Sequence, residues 1–195
     1  MSTWRERKRE LKKYIKEMNA LMEDARMQCV AADRLYNVAK DETNSNVVVA
    51  AGGVKLLVNA MQKHPSNPDL QRGAAITFQR CIERGGEGGV PAAKAILAAG
   101  AVGFLGESLQ RFPQNTSLQA AIAGLFRQLV RRLGQPAAEA VEAENVINAL
   151  ASIEEWTNDA NAKFQAVKAL EIIQKALPPP PPEEEVADDD GAESP

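Results

Sequence analysis

The chain has 195 residues, 45% of them hydrophobic and only 5% aromatic, and carries a formal net charge of −3 at pH 7. That length holds one well-buried domain and its tails, and abundant Ala, Leu, Val, Gln and Glu with few aromatics favours closely packed helices over a sheet, so an all-α fold is expected. A disulfide framework is excluded by composition: Cys29 and Cys81 are the only cysteines, both sit in apolar helical patterns, and free thiols suit a reducing compartment, cytoplasmic with a nuclear address also open.

The first element, residues 1–25, reads as a basic amphipathic helix. Trp4, Leu11, Ile15, Met18 and Met22 recur on one face, while Arg5, Arg9, Lys12, Lys13 and Lys16 cover the rest. Such a helix can cap the end of a helical stack. It can also pair with another helix, or lie on an anionic membrane or nucleic acid through its cations. The embedded Glu6, Glu10 and Glu17 weigh against membrane and nucleic acid. No apolar stretch of about 18 residues follows, so neither a signal peptide nor a membrane span is expected.

Residues 26–177 repeat themselves. Val49-Ala-Ala-Gly-Gly-Val54 aligns with Leu97-Ala-Ala-Gly-Ala-Val102, and the same register pairs Leu57 with Leu105, Pro65 with Pro113, Asn67 with Asn115, Leu70-Gln71 with Leu118-Gln119 and Phe78 with Phe126 without a gap. A weaker third copy places Val146, Ile147, Leu150 and Ile153 on the apolar face and sets Phe164-Gln165 against Leu118-Gln119, which implies an inter-helix loop one or two residues longer. Upstream, Ala31-Ala32-x-x-Leu35-x-x-Val38 matches Ala74-Ala75-x-x-Phe78-x-x-Cys81, the closing helix of a partial copy. The boundaries read 26–43 for the partial unit, then about 44–88, 89–134 and 135–177.

Within a copy the pattern predicts a short helix, a Gly break, a medium helix restarting almost at right angles, a polar Pro/Asn loop and a long helix. Gly52-Gly53 and Gly100 stand where a residue past a helix end often needs positive φ. Asn67 before Pro68 is a cap with Pro at the first helical position, and Thr116-x-x-Gln119 fits a capping box.

Asn46-Val-Val-Val-Ala-Ala-Gly-Gly-Val-Lys-Leu-Leu-Val-Asn-Ala-Met61 and the Ala-Ala-Ile-Thr-Phe stretch from Ala74 resemble the armadillo-repeat family, over roughly Arg26 to Leu177. HEAT-type repeats are the close alternative; the short first helix followed by Gly favours armadillo, and Gly85-Gly-Glu-Gly-Gly89 reads as an extra loop between copies that lengthens the period. The resemblance implies a right-handed α-solenoid of about three repeats with an N-terminal partial repeat and capping helix, and a concave groove lined by the third helices. By the same resemblance the groove residues are Asn37, Arg80, Gln128 and Gln174, a polar ladder able to hydrogen-bond the main chain of an extended peptide. The Trp that importin-like members carry one turn earlier is replaced by Asp33, Ile76, Gly124 and Leu170, which argues against recognition of nuclear-localisation signals.

Nothing in the chain asks for catalysis, a cofactor or a small-molecule substrate. His64 is the only histidine, it precedes Pro65 in a loop, and a general base needs converging partners. Cys29, His64 and Cys81 lack the spacing of zinc ligands. The glycine cluster at 85–89 is not a phosphate cradle, because no strand precedes it and the next Lys is Lys94. Glu154-Glu155 and Glu183-Glu184-Glu185 read as solvated charge.

After Leu177 the chain turns to Pro178–Pro182 and then to seven acidic residues between Glu183 and Glu193 with no base. Residues 178–195 are expected to form a disordered Pro-rich acidic tail. The function expected is that of a non-enzymatic scaffold or adaptor binding a protein or extended peptide on the third-helix face. The alternative is a structural component that self-associates through its ends or its N-terminal helix. Nucleic-acid or membrane binding through that helix stands third.

Overall fold

The computed structural model describes residues 3–40, 42–83 and 89–179, the side chains of 42–44 excepted. The glycine-rich segment at 84–88 and the tail from 180 onward, the last three prolines and the acidic run included, lie outside the described residues. Among the described residues the structure is all-helical, with eleven helices and no strand: α1 Trp4–Ala20, α2 Ala25–Ala39, α3 Glu42–Ala51, α4 Gly53–Lys63, α5 Pro68–Glu83, α6 Gly89–Ala98, α7 Ala101–Arg111, α8 Thr116–Leu133, α9 Gln135–Ala143, α10 Val146–Trp156 and α11 Ala160–Ala176.

Helix lengths from α3 onward run 10, 11 and 16 residues, then 10, 11 and 18, then 9, 11 and 17. Their punctuation is local chemistry. Between the first two helices of each run one residue takes the left-handed conformation: Gly52 at φ 97°, Gly100 at φ 73° and Asn145 at φ 60°. Glycine does so without Cβ strain, and Asn is among the few other residues that tolerate it. The reversal at Gly100 bends α6 against α7 by 71°.

The long helices open on an Asx cap. Asn67 Oδ1 accepts the Leu70 N–H at 3.1 Å, Asn115 Oδ1 that of Leu118 at 3.0 Å, and Asp159 Oδ1 that of Ala162 at 2.8 Å. The cap of α8 is therefore Asn115 and not Thr116, and no capping box forms there. Gln119 instead donates from Nε2 to the Pro113 carbonyl at 2.7 Å. This belongs to a recurring device. Gln71 Nε2 donates to the carbonyls of Met61 at 3.0 Å and His64 at 3.1 Å, and Gln28 Nε2 to those of Met18 and Leu21, both at 2.9 Å. Each glutamine adds a donor at or just past a helix end; the Met18, Leu21 and His64 carbonyls also accept the backbone N–H groups of Leu21, Asp24 and Asn67. At the corresponding place in α11 stands an exposed Lys163.

The core is continuous. Leu35, Phe78 and Phe126 are fully buried on successive long helices, with Leu57, Leu70, Leu105, Leu118 and Ile122 between them. Among the long helices α2 packs on α5, α5 on α8 and α8 on α11. The loop before α11 is three residues, 157–159, where that before α8 is four, 112–115. This reverses the longer loop expected from aligning Phe164-Gln165 with Leu118-Gln119. The caps Asn115 and Asp159 and the buried pairs Leu118/Ala162, Phe126/Leu170 and Leu129/Ile173 all share an offset of 44, so Phe164 falls outside the core, 52% exposed.

α1 starts on a true capping box, Thr3 with Glu6, and buries Leu11, Tyr14, Ile15 and Met18 against α2, α3 and α4. His64 Nε2 lies 2.7 Å from the Met22 carbonyl, tying the α1–α2 turn to the end of α4. Among the described residues no single helix is long and apolar enough to cross a membrane; α6 and α7 together have the length and composition, but they bend at Gly100 and bury Ile96 and Leu105 in the core.

Candidate functional groove

The side-by-side packing of α2, α5, α8 and α11 leaves one face of each long helix uncovered by the shorter helices. Two hollows follow that face. One, of about 520 Å³, lies between α2 and α5 and is bounded by Asp33, Tyr36, Asp69, Arg72 and Ile76. The other, of about 340 Å³, lies between α5, α8 and α11 and is bounded by Gln79, Glu83, Gly124, Arg127, Gln128 and Gln165. Ile76 borders both, so the hollows are neighbours.

Asn37, Arg80 and Gln128 occupy the same place on their helices, thirteen residues beyond the caps Asp24, Asn67 and Asn115. Asn37 is exposed; Arg80 and Gln128 are half-buried. The structure joins the last two through a residue the sequence did not single out: Glu83 accepts from Arg80 Nη1 at 2.9 Å and from Gln128 Nε2 at 2.6 Å. Tyr36 draws in two cations, with Lys40 Nζ 4.7 Å and the Arg80 guanidinium 5.7 Å from its ring centre.

Gln174 does not join them. Thirteen residues past Asp159 is Ile172, half-buried on the core, and two further residues turn a helix by about 200°. Gln174 is exposed on a different face, a consequence of the shorter α10–α11 loop.

Gly124 sits where the importin-like Trp would be. A Cβ there would come within 2.8 Å of Gln79 Nε2, an amide already donating to the Ala121 carbonyl across the α5–α8 seam. Glycine at 124 thus lets a glutamine from α5 lie over α8, with Gln165 of α11 approaching from the other side.

On α1, Trp4 is 42% exposed with Lys8 Nζ 4.8 Å from its ring centre, and Arg5, Arg9, Lys12, Lys13 and Lys16 all point to solvent. Tyr14, absent from the expected apolar face, is buried and its ring is covered by Arg34 at 4.1 Å. With Leu11, Tyr14, Ile15 and Met18 packed, the exposed side of α1 is cationic, with Trp4 at its start.

The cysteines carry no site. Burial pushes the Cys81 thiol up to about 12 and raises that of Cys29 as well, the latter opposed by the hydrogen bond from Asn67. Among the described residues no three His, Cys, Asp or Glu side chains are grouped to hold a metal ion. A cavity of about 790 Å³, larger than either hollow, lies off the groove between α7, the start of α8, α10 and the loop before α11, beside Leu109, Pro113, Ile153 and a 77% exposed Trp156.

No protein-family model matches the chain, and a search of curated proteins returns no match. Among solved structures the chain is similar to two engineered proteins determined by the Northeast Structural Genomics Consortium. One superposes with a TM-score of 0.68 at 22% identity over 84% of this chain, which spans 62% of that protein's length. The other gives a TM-score of 0.59 at 19% identity over 85% of this chain and 81% of that one. At these identities the likeness concerns the fold, an all-α one.

Proposed function

We propose that the chain is a short right-handed α-solenoid of about three armadillo-like repeats, preceded by a partial unit and capped by α1, and that it works as a non-enzymatic scaffold holding an extended segment of a partner protein along α2, α5, α8 and α11. The solenoid reading is supported by the recurring helix lengths, by the left-handed residues Gly52, Gly100 and Asn145, and by the Asx caps of the long helices. The binding reading is carried by one observation: two hollows run along the long helices, one between α2 and α5 and one between α5, α8 and α11, with Gln128 lining the second and Asn37 and Arg80 at the matching positions of α2 and α5. Side-chain amides and guanidinium groups in such a row suit peptide main chain, each residue of which offers one donor and one acceptor. A cytoplasmic or nuclear site of action is proposed with it, on the strength of two free cysteines, one of them fully buried.

The test is affinity capture from native lysate with the wild type beside a variant carrying Asn37→Ala, Arg80→Ala and Gln128→Ala, both checked for equal folding by circular dichroism. Partners lost only from the variant support the groove. A partner set unchanged by the variant sinks it. The second reading, self-association, is favoured by Trp156 and Phe164, exposed at 77% and 52% near the last helix, and predicts a mass in solution above that of one chain.

A further inference from the structure

Around the hollow between α5, α8 and α11 three buried polar atoms have no protein partner: Arg127 Nε, Gln128 Oε1 and Gln165 Oε1. Folded proteins rarely leave such atoms unpaired, and each one so left calls for an explanation. The orientation of Gln128 is fixed by chemistry, since its Nε2 must be the atom that donates to the Glu83 carboxylate. Its Oε1 is therefore an acceptor.

The charged side chains lining the hollow are Glu83 and Arg127. Among the described residues Glu83 is the only acidic one lining it, and it is engaged by Arg80 and Gln128. Arg127 has a half-buried guanidinium, with Arg131 one turn away. Burial first, and then Arg131, disfavour its charged form, and Glu83 offsets them only in part. An arginine keeps its charge even so, which leaves a partly desolvated cation facing a small cavity.

We propose that this hollow is the selectivity pocket of the groove and accepts an Asp or Glu side chain of an extended partner segment, its carboxylate on the Arg127 guanidinium and the flanking backbone N–H groups donating to Gln128 Oε1 and Gln165 Oε1. The inference rests on the groove reading above and adds the chemical class of the ligand: acidic, not basic. A carboxylate forms charge-assisted, fork-like bonds with a guanidinium, and a lysine in its place would meet Arg127 and Arg131 with like charge. The volume of about 340 Å³ is at the small end of ligand cavities, which run from about 300 to 1,000 Å³, and suits one side chain.

The experiment titrates the full ¹⁵N-labelled chain with three blocked pentapeptides, Ala-Ala-Glu-Ala-Ala and its Gln and Lys analogues, and follows the Arg127 Nε–Hε and the Gln128 and Gln165 side-chain amide resonances. The Glu peptide is expected to move all three and to bind about tenfold more tightly than the Gln peptide, as charge-assisted bonds do over neutral ones. The preference should shrink in high salt, disappear in Arg127→Gln and partly return in Arg127→Lys. Equal shifts from the Glu and Gln peptides would overturn the acidic preference while leaving the groove reading standing. Shifts confined to residues outside the groove would overturn both. If neutralising the acidic residues of 183–193 moves the Arg127 resonance with no peptide present, the pocket belongs to the chain's own tail and the partner segment proposed here is wrong.

Discussion

Changing Gly52 to Ala tests whether the helix breaks are set by backbone conformation alone. At φ 97° a Cβ on residue 52 would meet no atom within 4 Å, so the substitution creates no clash. Its cost is the left-handed penalty of an L-residue, about 1–2 kcal/mol. Gly53 next to it is the opposite case: its φ is unremarkable, but a Cβ would lie 2.7 Å from Val48 Cγ1 and 3.0 Å from the Val48 carbonyl, so Gly53→Ala acts through crowding and should cost more, of the order of the 1–3 kcal/mol typical of overpacking. Asn145→Gly removes strain at φ 60° but loosens the unfolded chain, two effects each below about 1 kcal/mol that oppose one another. Urea unfolding followed by circular dichroism, with an unchanged denaturant slope, reads all three. Gly52→Ala within about 0.3 kcal/mol of wild type, where a left-handed residue must cost about 1–2, would refute the conformational argument; a loss matching that of Gly53→Ala with a changed slope would point to packing instead.

Gln71→Leu takes its amide donor from the Met61 carbonyl, while the His64 carbonyl keeps the Asn67 N–H, and is expected to cost about 1–3 kcal/mol in the same assay, as is Gln119→Leu, which takes the donor from the Pro113 carbonyl. On α1, Leu11→Ala should cost about 2–5 kcal/mol because the residue is 6% exposed, whereas neutralising Arg5, Arg9, Lys12, Lys13 and Lys16 together should change stability by less than about 1 kcal/mol. Cys81, raised by burial to about 12 from 9.0, favours the folded state fully below pH 9. That contribution falls as pH rises from 9 toward 12, so between pH 9 and 10 wild type should lose about 1 kcal/mol more than Cys81→Ala in paired urea titrations. At neutral pH a thiol reagent should modify half-buried Cys29 first and reach Cys81 only on unfolding.

What the sequence made legible was whatever a single residue type decides locally. Gly52, Gly100 and the Asn67 cap with Pro68 are of this kind, because few residue types serve those backbone positions as cheaply. Asn145 was not legible as the third break, since Asn is common in loops and only its φ of 60° reveals the shared role. Asn115 and Thr116 are neighbours that can both cap, and only the hydrogen bond to Leu118 decides between them. The register of α11 slipped because Phe164-Gln165 mimics Leu118-Gln119 while the true counterpart of Leu118 is the less conspicuous Ala162; Gln174 was selected in place of Ile172 for that reason. The Glu83–Gln128 link and that of Gln79 to the Ala121 carbonyl beside Gly124 join residues more than forty positions apart, and no local signal announces them.

The most direct test of the groove is site-specific photo-crosslinking in native lysate, with a benzophenone side chain placed in turn at Asn37, Ile172, Gln174, Glu107 and Lys12. The account predicts partner adducts from positions 37 and 172, on the long-helix face, and none from 174, from 107 on the exposed side of α7, or from 12 on α1. Adducts from 12 alone, or from 107 and 174 as readily as from 37 and 172, would contradict it.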